Sequence, residues 1–345
     1  MEMNVKRVRN VFSMAILSGL FLNSALAFAS NKVCTIYPHL KDSYWLSVNY
    51  GMVMEAEAAG LELKVLESGG YPNVNKQRQQ LASCYQWGAD AIILGTVSPN
   101  AYLDQINQLI GDTPLFATVN HLNIGVKDRP QFEGEVGVDW YWMGYNAGQY
   151  LAQKHPKDSG TVNVAWLLGP RFSGGTKPAT QGFYDALDDS DVNIISTYWG
   201  DNDKEIQRNL AQRVLELPDI DYIVGGAVSI EAAISEIRKA PEHQNIGLIS
   251  TYLSHGVYRG LLRNKVEFAS TDKMVLQGRY SIQQVASFFD DQPYEMSLSP
   301  VIEKLTPENI RLTDIKDSLS PLGYRPVFSV QNDINSNSAV ESASN

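Results

Sequence analysis

Short apolar runs alternate along the chain with longer segments in which apolar residues recur at helical spacing. In the first half, the predicted strands are 33–37, 62–66, 91–94 and 115–119, and the predicted helices are 45–59, 73–87 and 100–110. The first two helices end before Gly60 and Gly88, and glycine is the residue that most often follows the end of a helix. This alternation is typical of βαβ units that build a parallel sheet.

A second series of the same kind begins at residue 134. Its predicted strands are 134–139, 163–168, 192–198, 222–225, 246–251, 268–270 and 299–304, and its predicted helices are 143–154, 180–187, 203–217, 230–239, 256–263 and 275–289. Two series of β/α units predict an α/β protein with two doubly wound, Rossmann-like domains. Ligands of such open sheets bind beyond the carboxyl ends of the strands, so the residues that follow each strand are the candidates for a site.

Both ends of the chain differ from this pattern. Three basic residues precede the apolar run from Val11 to Leu22, and Ala27-Phe28-Ala29 fits a signal-peptide cleavage site, so residues 1–29 are predicted to be removed on export. The alternative is a membrane anchor, but an apolar run of about 12 residues is short for a bilayer. The segment 331–345 is rich in Ser and Asn and is expected to be disordered.

Charge and length narrow the classes of function. Without residues 1–29, the formal charge changes from −10 to −12, because three basic residues and one acidic residue are lost. An acidic chain of this kind disfavours nucleic acid and anionic membranes as partners. No later apolar stretch reaches the roughly 18 residues of a membrane span, so we expect a protein that is not membrane-embedded. The remaining length favours two domains over one.

The sequence contains two cysteines, Cys34 and Cys84. In an oxidising compartment they can form a disulfide that closes a loop of about 50 residues. The alternative is a pair of buried free thiols.

Several local sequences together resemble the ribose/LacI-type (type I) periplasmic binding proteins. They are Lys41-Asp42-Ser43-Tyr44-Trp45 after the first strand, Gly137-Val138-Asp139-Trp140 with Gly144, Gln181-Gly182-Phe183, and Ala269-Ser270-Thr271-Asp272 with Gln277-Gly278. The resemblance implies two Rossmann-like lobes joined by three crossovers. We expect an N-terminal lobe of residues 30–138 and 254–290, and a C-terminal lobe of residues 139–253 and 291–330.

The chain departs from the sugar-binding members of this family at positions where they grip hydroxyl groups. Asn120-His121 stands in place of an Asp-Arg pair, Trp140 in place of an Asn, and Tyr252 in place of a late acidic residue. Lys177 corresponds approximately to the arginine of the second domain. Aromatic rings therefore replace much of the fixed charge of a sugar pocket.

Five of the residues that follow strands are aromatic and come from both lobes. They are Tyr44, Trp45, Tyr71, Trp140 and Tyr252. A box of rings suits a methylated ammonium ligand, because ring faces attract a cation whose charge is spread over methyl groups. The alternative is that these rings fill the core or the hinge, and Trp142 and Trp166 are interpreted as structural in this way, Trp142 on a helix packing surface and Trp166 within a strand.

This pattern resembles the group of periplasmic receptors for trimethylamine N-oxide that work with a sensor histidine kinase. The resemblance implies ring faces around the methyl groups and a donor aimed at the oxygen, from the indole of Trp45 or Trp140 or a tyrosine hydroxyl. Asp139 and Asp272 could offset positive charge in the site, or could cap a helix and order the hinge. Lys177 follows the glycine-rich loop 169–175, which could bind an anion.

Other chemistry is less well supported. The five histidines lack the close spacing of metal ligands, and no Gly-x-Ser-x-Gly nucleophile motif occurs. We therefore expect no catalytic residue, no metal and no cofactor. A substrate-binding protein of an ABC importer, for a sugar or another small solute, remains the alternative to a signalling receptor, because either partner can recognise the same closure of two lobes.

Overall fold

The computed structural model describes residues 30–171 and 173–331, so the predicted signal peptide and the tail from residue 332 lie outside the described residues. The strands are β1 (Lys32–Tyr37), β2 (Glu62–Glu67), β3 (Ala91–Leu94), β4 (Leu115–Val119), β5 (Phe132–Gly137), β6 (Val162–Leu168), β7 (Val192–Trp199), β8 (Tyr222–Gly225), β9 (Gly247–Ser250), β10 (Phe268–Thr271), β11 (Ser297–Leu298), β12 (Glu303–Leu305) and β13 (Ser329–Val330). The helices are α1 (Ser43–Ala59), α2 (Val74–Gln86), α3 (Ile106–Ile110), α4 (Trp140–Lys154), α5 (Thr176–Asp185), α6 (Lys204–Leu215), α7 (Ala227–Ile237), α8 (His255–Leu262) and α9 (Met274–Phe289). Short 3₁₀ turns lie at Val126–Gln131 and Pro241–His243.

The strands form two separate sheets, one for each lobe. The first has the order β11-β5-β4-β3-β1-β2-β13 and the second the order β12-β10-β9-β8-β6-β7. Neighbouring strands are parallel, except that β13 and β12 join the edges of their sheets antiparallel to β2 and β10. The carboxyl ends of both sheets face the cleft between the lobes, where ligands of such sheets bind.

The chain passes between the two sheets four times. Three passages were expected, and they lie between β5 and α4, between β10 and α9, and between β11 and β12. The fourth runs from β12 to β13 and returns the chain to the first sheet. A two-residue strand at a sheet edge carries too little hydrophobic pattern to be predicted from sequence.

The expected lobe boundaries differ from the sheets at two places. Residues 254–271 belong to the second lobe and not to the first, because β10 pairs with β9 and the chain returns to the first lobe only at Asp272. Ser297–Leu298 and Ser329–Val330 pair with β5 and β2, so these two strands belong to the first lobe. No residue pattern marks the lobe boundary at Asp272, because β10 is a buried strand with the same apolar character as its neighbours.

Two predicted elements are shorter than expected. The helix predicted over 100–110 is present only from Ile106, because Asp104 adopts a left-handed backbone conformation with φ 55°. Of the strand predicted over 299–304, only the end is present, as β12 (Glu303–Leu305) in the second sheet, and β11 (Ser297–Leu298) lies before the predicted range and joins the first sheet. Cys34 of β1 and Cys84 of α2 are joined by a disulfide.

Each lobe contains a pair of helices that approach closely through glycine. In the first lobe, a Cβ on Gly51 of α1 would lie 2.0 Å from the carbonyl oxygen of Val275, at the start of α9. In the second lobe, a Cβ on Gly144 of α4 would lie 1.8 Å from the carbonyl oxygen of Ala179 in α5. Only glycine permits this backbone contact. The helices that follow the first and second passages are thus fixed firmly to their own lobes.

Candidate functional site

The first part of the site is built by the turn between β1 and α1. The Asp42 carboxylate accepts a hydrogen bond from the backbone N–H of Trp45 at 3.1 Å and begins helix α1, as an N-cap should. The first turn of the helix therefore carries Tyr44 and Trp45 to the carboxyl end of the sheet. The Trp45 ring lies over Gly95 after β3, where a Cβ would come within 2.6 Å of the ring.

The second lobe contributes Trp140 and Tyr252. Trp140 begins α4 directly after the first passage between lobes, and its ring covers Gly175, where a Cβ would lie 2.7 Å away. Tyr252 follows β9. The Tyr44 ring meets Tyr252 at a centroid distance of 5.4 Å and Trp140 at 6.1 Å, and Trp140 meets Tyr252 at 6.1 Å. Edge-to-face and tilted contacts at these distances are favourable, so the rings hold the two lobes together.

All five aromatic residues predicted for the site line one cavity of about 50 Å³ between the lobes. From the first lobe the cavity is lined by Asp42, Tyr44, Trp45, Tyr71, Val119 and Asn120, and from the second by Trp140, Leu168, Gly169, Pro170, Ser173, Gly175, Thr176, Asn202, Thr251 and Tyr252. The alternative, in which the rings are scattered through separate cores, does not describe this arrangement.

Most polar atoms on the rings already have a partner. The Tyr44 hydroxyl donates to Asp272 at 2.5 Å, and the Trp140 indole N–H donates to the carbonyl oxygen of Val119 at 3.3 Å. The Tyr71 hydroxyl accepts a hydrogen bond from the Asn120 amide at 3.4 Å. The Tyr252 hydroxyl is buried and has no hydrogen-bond acceptor among the described residues. A buried donor without an acceptor is costly, and a ligand oxygen would remove that cost.

Burial keeps the phenols neutral. It raises the pKa of Tyr44 and Tyr252 well above the ordinary value, and the charge of Asp272 raises that of Tyr44 further. Burial likewise raises the pKa of Tyr71 to about 12, although hydrogen bonds from Asn120 and Trp45 act in the opposite direction. These hydroxyls are therefore donors at neutral pH, and the cavity wall carries no phenolate charge.

Asp42 is a lining residue that sequence reasoning did not include. Its carboxylate is buried, and Oδ2 lies 4.0 Å from the His39 ring without a hydrogen bond among the described residues. The sequence prediction of the site rests on aromatic side chains, and Asp42 enters it only as part of the family motif 41–45. A carboxylate beside several rings is itself a sign of a site for positive charge.

Three other predicted residues lie away from the cavity. Asp139 is exposed and caps α4 by accepting from the N–H of Tyr141 at 2.9 Å, which is the structural alternative considered for it. Lys177 is exposed on α5 and is not among the residues that line the cavity. Asp272 is fully buried behind Tyr44 and reaches the cavity only through that hydroxyl.

The two tryptophans interpreted as structural differ in their surroundings. Trp166 is buried in β6 and stacks on Phe183 at 4.0 Å, as expected for a core residue. Trp142 was expected to face a helix packing surface, but 49% of its side chain is exposed, so that expectation is wrong. The packed side of α4 is formed instead by Met143, Gly144 and Ala147.

Two features bear on the class of protein. None of the helices in the described ranges is both long and apolar enough to cross a membrane. Within those ranges, no group of three or more His, Cys, Asp or Glu side chains is arranged to hold a metal ion.

Comparison with known proteins places this geometry in a family. Residues 30–309 match the model of the periplasmic binding proteins and sugar binding domain of the LacI family. The chain is 44% identical over 304 residues to the periplasmic protein TorT of Escherichia coli K12. The aligned region covers 87% of this chain and 85% of that protein.

Solved structures agree with the sequence relatives. The crystal structures of the TorS sensor domain–TorT complex, one without ligand and one with trimethylamine N-oxide (TMAO), contain a chain 61% identical to this one. Each superposes with a TM-score of 0.82 and covers 87% of this chain and 100% of that chain. An ABC transporter solute-binding protein of Bradyrhizobium sp. BTAi1 with bound bis-tris is 34% identical, with a TM-score of 0.73 over 87% of this chain and 90% of that one.

Proposed function

We propose that this chain, which belongs to the family of periplasmic binding proteins and LacI-type sugar-binding domains, is a periplasmic receptor for trimethylamine N-oxide. In this proposal the ligand occupies the cavity between the lobes, and the closed form is recognised by the periplasmic sensor domain of a TorS-like histidine kinase. The observation that carries the ligand assignment is a cavity of about 50 Å³ lined by five aromatic residues, one of which, Tyr252, has a buried hydroxyl without an acceptor in the part of the chain that the structure describes.

The size of the cavity supports a very small ligand. A cavity needs roughly 10–15 Å³ to hold one water-sized group. The cavity of about 50 Å³ therefore holds about three to five non-hydrogen atoms. Trimethylamine N-oxide has one nitrogen, one oxygen and three methyl carbons. A pentose has twice as many non-hydrogen atoms and would require the lobes to separate.

The chemistry of the wall matches the two ends of this ligand. The faces of Tyr44, Trp45 and Trp140 can surround methyl groups that carry positive charge, each contact contributing about 0.5–2 kcal/mol. The carboxylate of Asp42 adds negative charge on the same wall. The N-oxide oxygen needs a donor, and the Tyr252 hydroxyl is a buried donor on this wall that has no acceptor among the described residues.

The relatives support binding and signalling over catalysis and import. The relative that is 44% identical is a periplasmic protein, and the chain that is 61% identical was crystallised in complex with a sensor domain. One relative, 34% identical, is a solute-binding protein of an ABC transporter, and this observation favours import as the second candidate function. Its ligand, bis-tris, is larger than the cavity of this chain accommodates.

The proposal predicts that Tyr252→Phe weakens the binding of trimethylamine N-oxide by tenfold or more. The substitution removes only the hydroxyl, and a lost hydrogen bond to a charged group is worth about 1.5–3 kcal/mol. Isothermal titration calorimetry on the mature protein measures the dissociation constant.

Tyr102→Phe is the matched control, because its hydroxyl donates to Gln77 in the interior of the first lobe and lies away from the cavity. We expect this variant to bind like the wild type. Equal binding by Tyr252→Phe and the wild type would remove Tyr252 as the donor. Stabilisation of the wild type by ribose, with none by trimethylamine N-oxide, would contradict the ligand assignment itself.

A further inference from the structure

Three aromatic side chains form a patch on the outside of the second lobe. They are Tyr141, Trp142 and Tyr145 of α4, and they are called here the α4–α5 patch because the Tyr141 hydroxyl reaches Asp185 of α5. Trp142 meets Tyr141 at a centroid distance of 5.3 Å and Tyr145 at 5.2 Å, and the Tyr141 and Tyr145 rings are stacked at 5.9 Å. Trp142 exposes 49% of its surface.

The core does not require this patch. The α4 side that packs against α5 consists of small residues, and a Cβ on Gly182 would lie 2.0 Å from the carbonyl oxygen of Tyr141. The two helices are therefore held by backbone contact, with the rings left outside it. Tyrosine and tryptophan gathered on a surface are the residues most enriched in the centres of protein–protein interfaces.

The surroundings of the patch are acidic. Asp185, Asp188 and Asp189 are exposed at and just after the end of α5, and none takes part in an ion pair within the described ranges. The carboxyl end of a helix itself carries partial negative charge, so acidic residues there are unfavourable for the isolated helix. Asp185 also accepts a hydrogen bond from the Tyr141 hydroxyl at 3.2 Å, which connects the acidic group to the rings.

A partner that fits this surface has cationic side chains. Arginine stacks on exposed rings and pairs with neighbouring carboxylates at the same time. An apolar or acidic partner that covered the three carboxylates would remove their water without supplying an opposite charge, which is costly.

The patch is also connected to the ligand cavity through one turn of helix. Trp140 lines the cavity, and Trp142 lies two residues further along α4 on the outer surface. Because α4 starts at the first passage between lobes, a ligand that positions Trp140 also positions the start of the helix that carries the patch.

We infer that the α4–α5 patch is the surface on which the cationic part of the kinase sensor domain docks. This inference rests on the proposed function and adds to it the docking surface. The ligand and the kinase then contact opposite sides of the same helical turn.

The first test is Trp142→Ala, measured by biolayer interferometry against the purified TorS sensor domain in the presence of trimethylamine N-oxide. We expect the affinity for the sensor domain to fall by tenfold or more, because truncation of a central aromatic residue has that effect at interfaces. Calorimetry should show unchanged affinity for trimethylamine N-oxide, since Trp142 does not line the cavity. The control is Tyr85→Ala, which removes an equally exposed ring from α2 in the first lobe.

The second test reverses charge and leaves the ring side chains themselves unchanged, although Asp185→Lys removes the acceptor of the Tyr141 hydroxyl. Asp185→Lys combined with Asp188→Lys should weaken sensor-domain binding by at least tenfold and reduce its dependence on salt, whereas Asp112→Lys in the first lobe should have little effect. Wild-type affinity for the sensor domain in both α4–α5 variants would overturn the docking surface and leave the receptor function standing. A wild-type protein that binds neither trimethylamine N-oxide nor the sensor domain would overturn the proposed function itself.

Discussion

At the scale of single residues, the site combines polar groups that have hydrogen-bond partners with buried polar atoms of Asp42, Tyr252 and Asp272 that have none among the described residues. The hydroxyl of Tyr44 is held by Asp272, and the Gln277 amide donates to the same carboxylate oxygen at 2.9 Å. The other oxygen of Asp272 is buried without a hydrogen-bond partner among the described residues. Burial raises the pKa of Asp272 above its ordinary value of 3.8, although both hydrogen bonds act in the opposite direction.

This arrangement predicts a dependence of stability on pH. Because the pKa of Asp272 is higher in the folded than in the unfolded state, its contribution to stability is greatest below pH 3.8 and is lost as the pH rises through the folded value. Asp272→Asn removes this titration. We expect the unfolding free energy of the wild type, relative to the variant, to decrease as the pH rises from 3.8 towards neutrality, measured by urea unfolding at each pH. A constant difference over that range would contradict the assignment.

At the scale of elements, the disulfide between β1 and α2 fixes one side of the first sheet. Cys34 and Cys84 lie in a buried cluster with Leu81 and Ile92, whereas Trp45 and Tyr44 belong to the other cluster of that lobe. The two faces of the sheet therefore differ in role. One face is crosslinked by the disulfide, and the other packs against the residues that line the cavity.

The disulfide should stabilise the fold without affecting the ligand site. Replacing both cysteines by alanine is expected to lower the unfolding free energy by about 2–4 kcal/mol, the typical effect of removing such a crosslink. Urea unfolding of the oxidised wild type and the double variant measures the difference. The affinity for trimethylamine N-oxide at a temperature where both are folded is expected to stay the same, and a large loss of affinity would show that the two sides of the sheet are coupled.

Helices and strands were predictable from the sequence where the apolar residues follow a single helical or strand pattern. Buried strands such as β3 and β8 have the predicted bounds. Each is a run of four buried residues with turn residues on both sides, so the sequence shows both ends of the strand. The sequence could not show that α3 starts late, after the left-handed Asp104, or that β13 exists, since neither a positive φ at a non-glycine residue nor a two-residue edge strand leaves a hydrophobic pattern. The ring residues of the cavity were predictable because they follow strands, but Asp42 and the free hydroxyl of Tyr252 required the hydrogen bonds to be known.

At the scale of the whole molecule, the two lobes share one hydrophobic cluster. It includes Val33 and Phe116 of the first lobe and Leu167 and Ile223 of the second, with Tyr44 and Tyr252 between them. Four chain passages and these ring contacts connect the lobes, so we expect them to unfold together.

Differential scanning calorimetry is therefore expected to show a single transition whose calorimetric and van't Hoff enthalpies agree. Trimethylamine N-oxide at about one hundred times its dissociation constant should stabilise the whole protein by roughly 2.7 kcal/mol. Two transitions, of which the ligand shifts only one, would mean that the lobes fold independently and that the shared cluster contributes little.

The last strand has a consequence for how the chain can be shortened. β13 pairs with the outer edge of β2 through Ser329 and Val330, and Phe328 accepts a backbone hydrogen bond from Val65. If a protease cut the chain before Pro326, β2 would be left with a bare row of amide and carbonyl groups along its margin. Such a margin recruits strands from other molecules, so a clipped form would tend to self-associate even though its ligand cavity is intact.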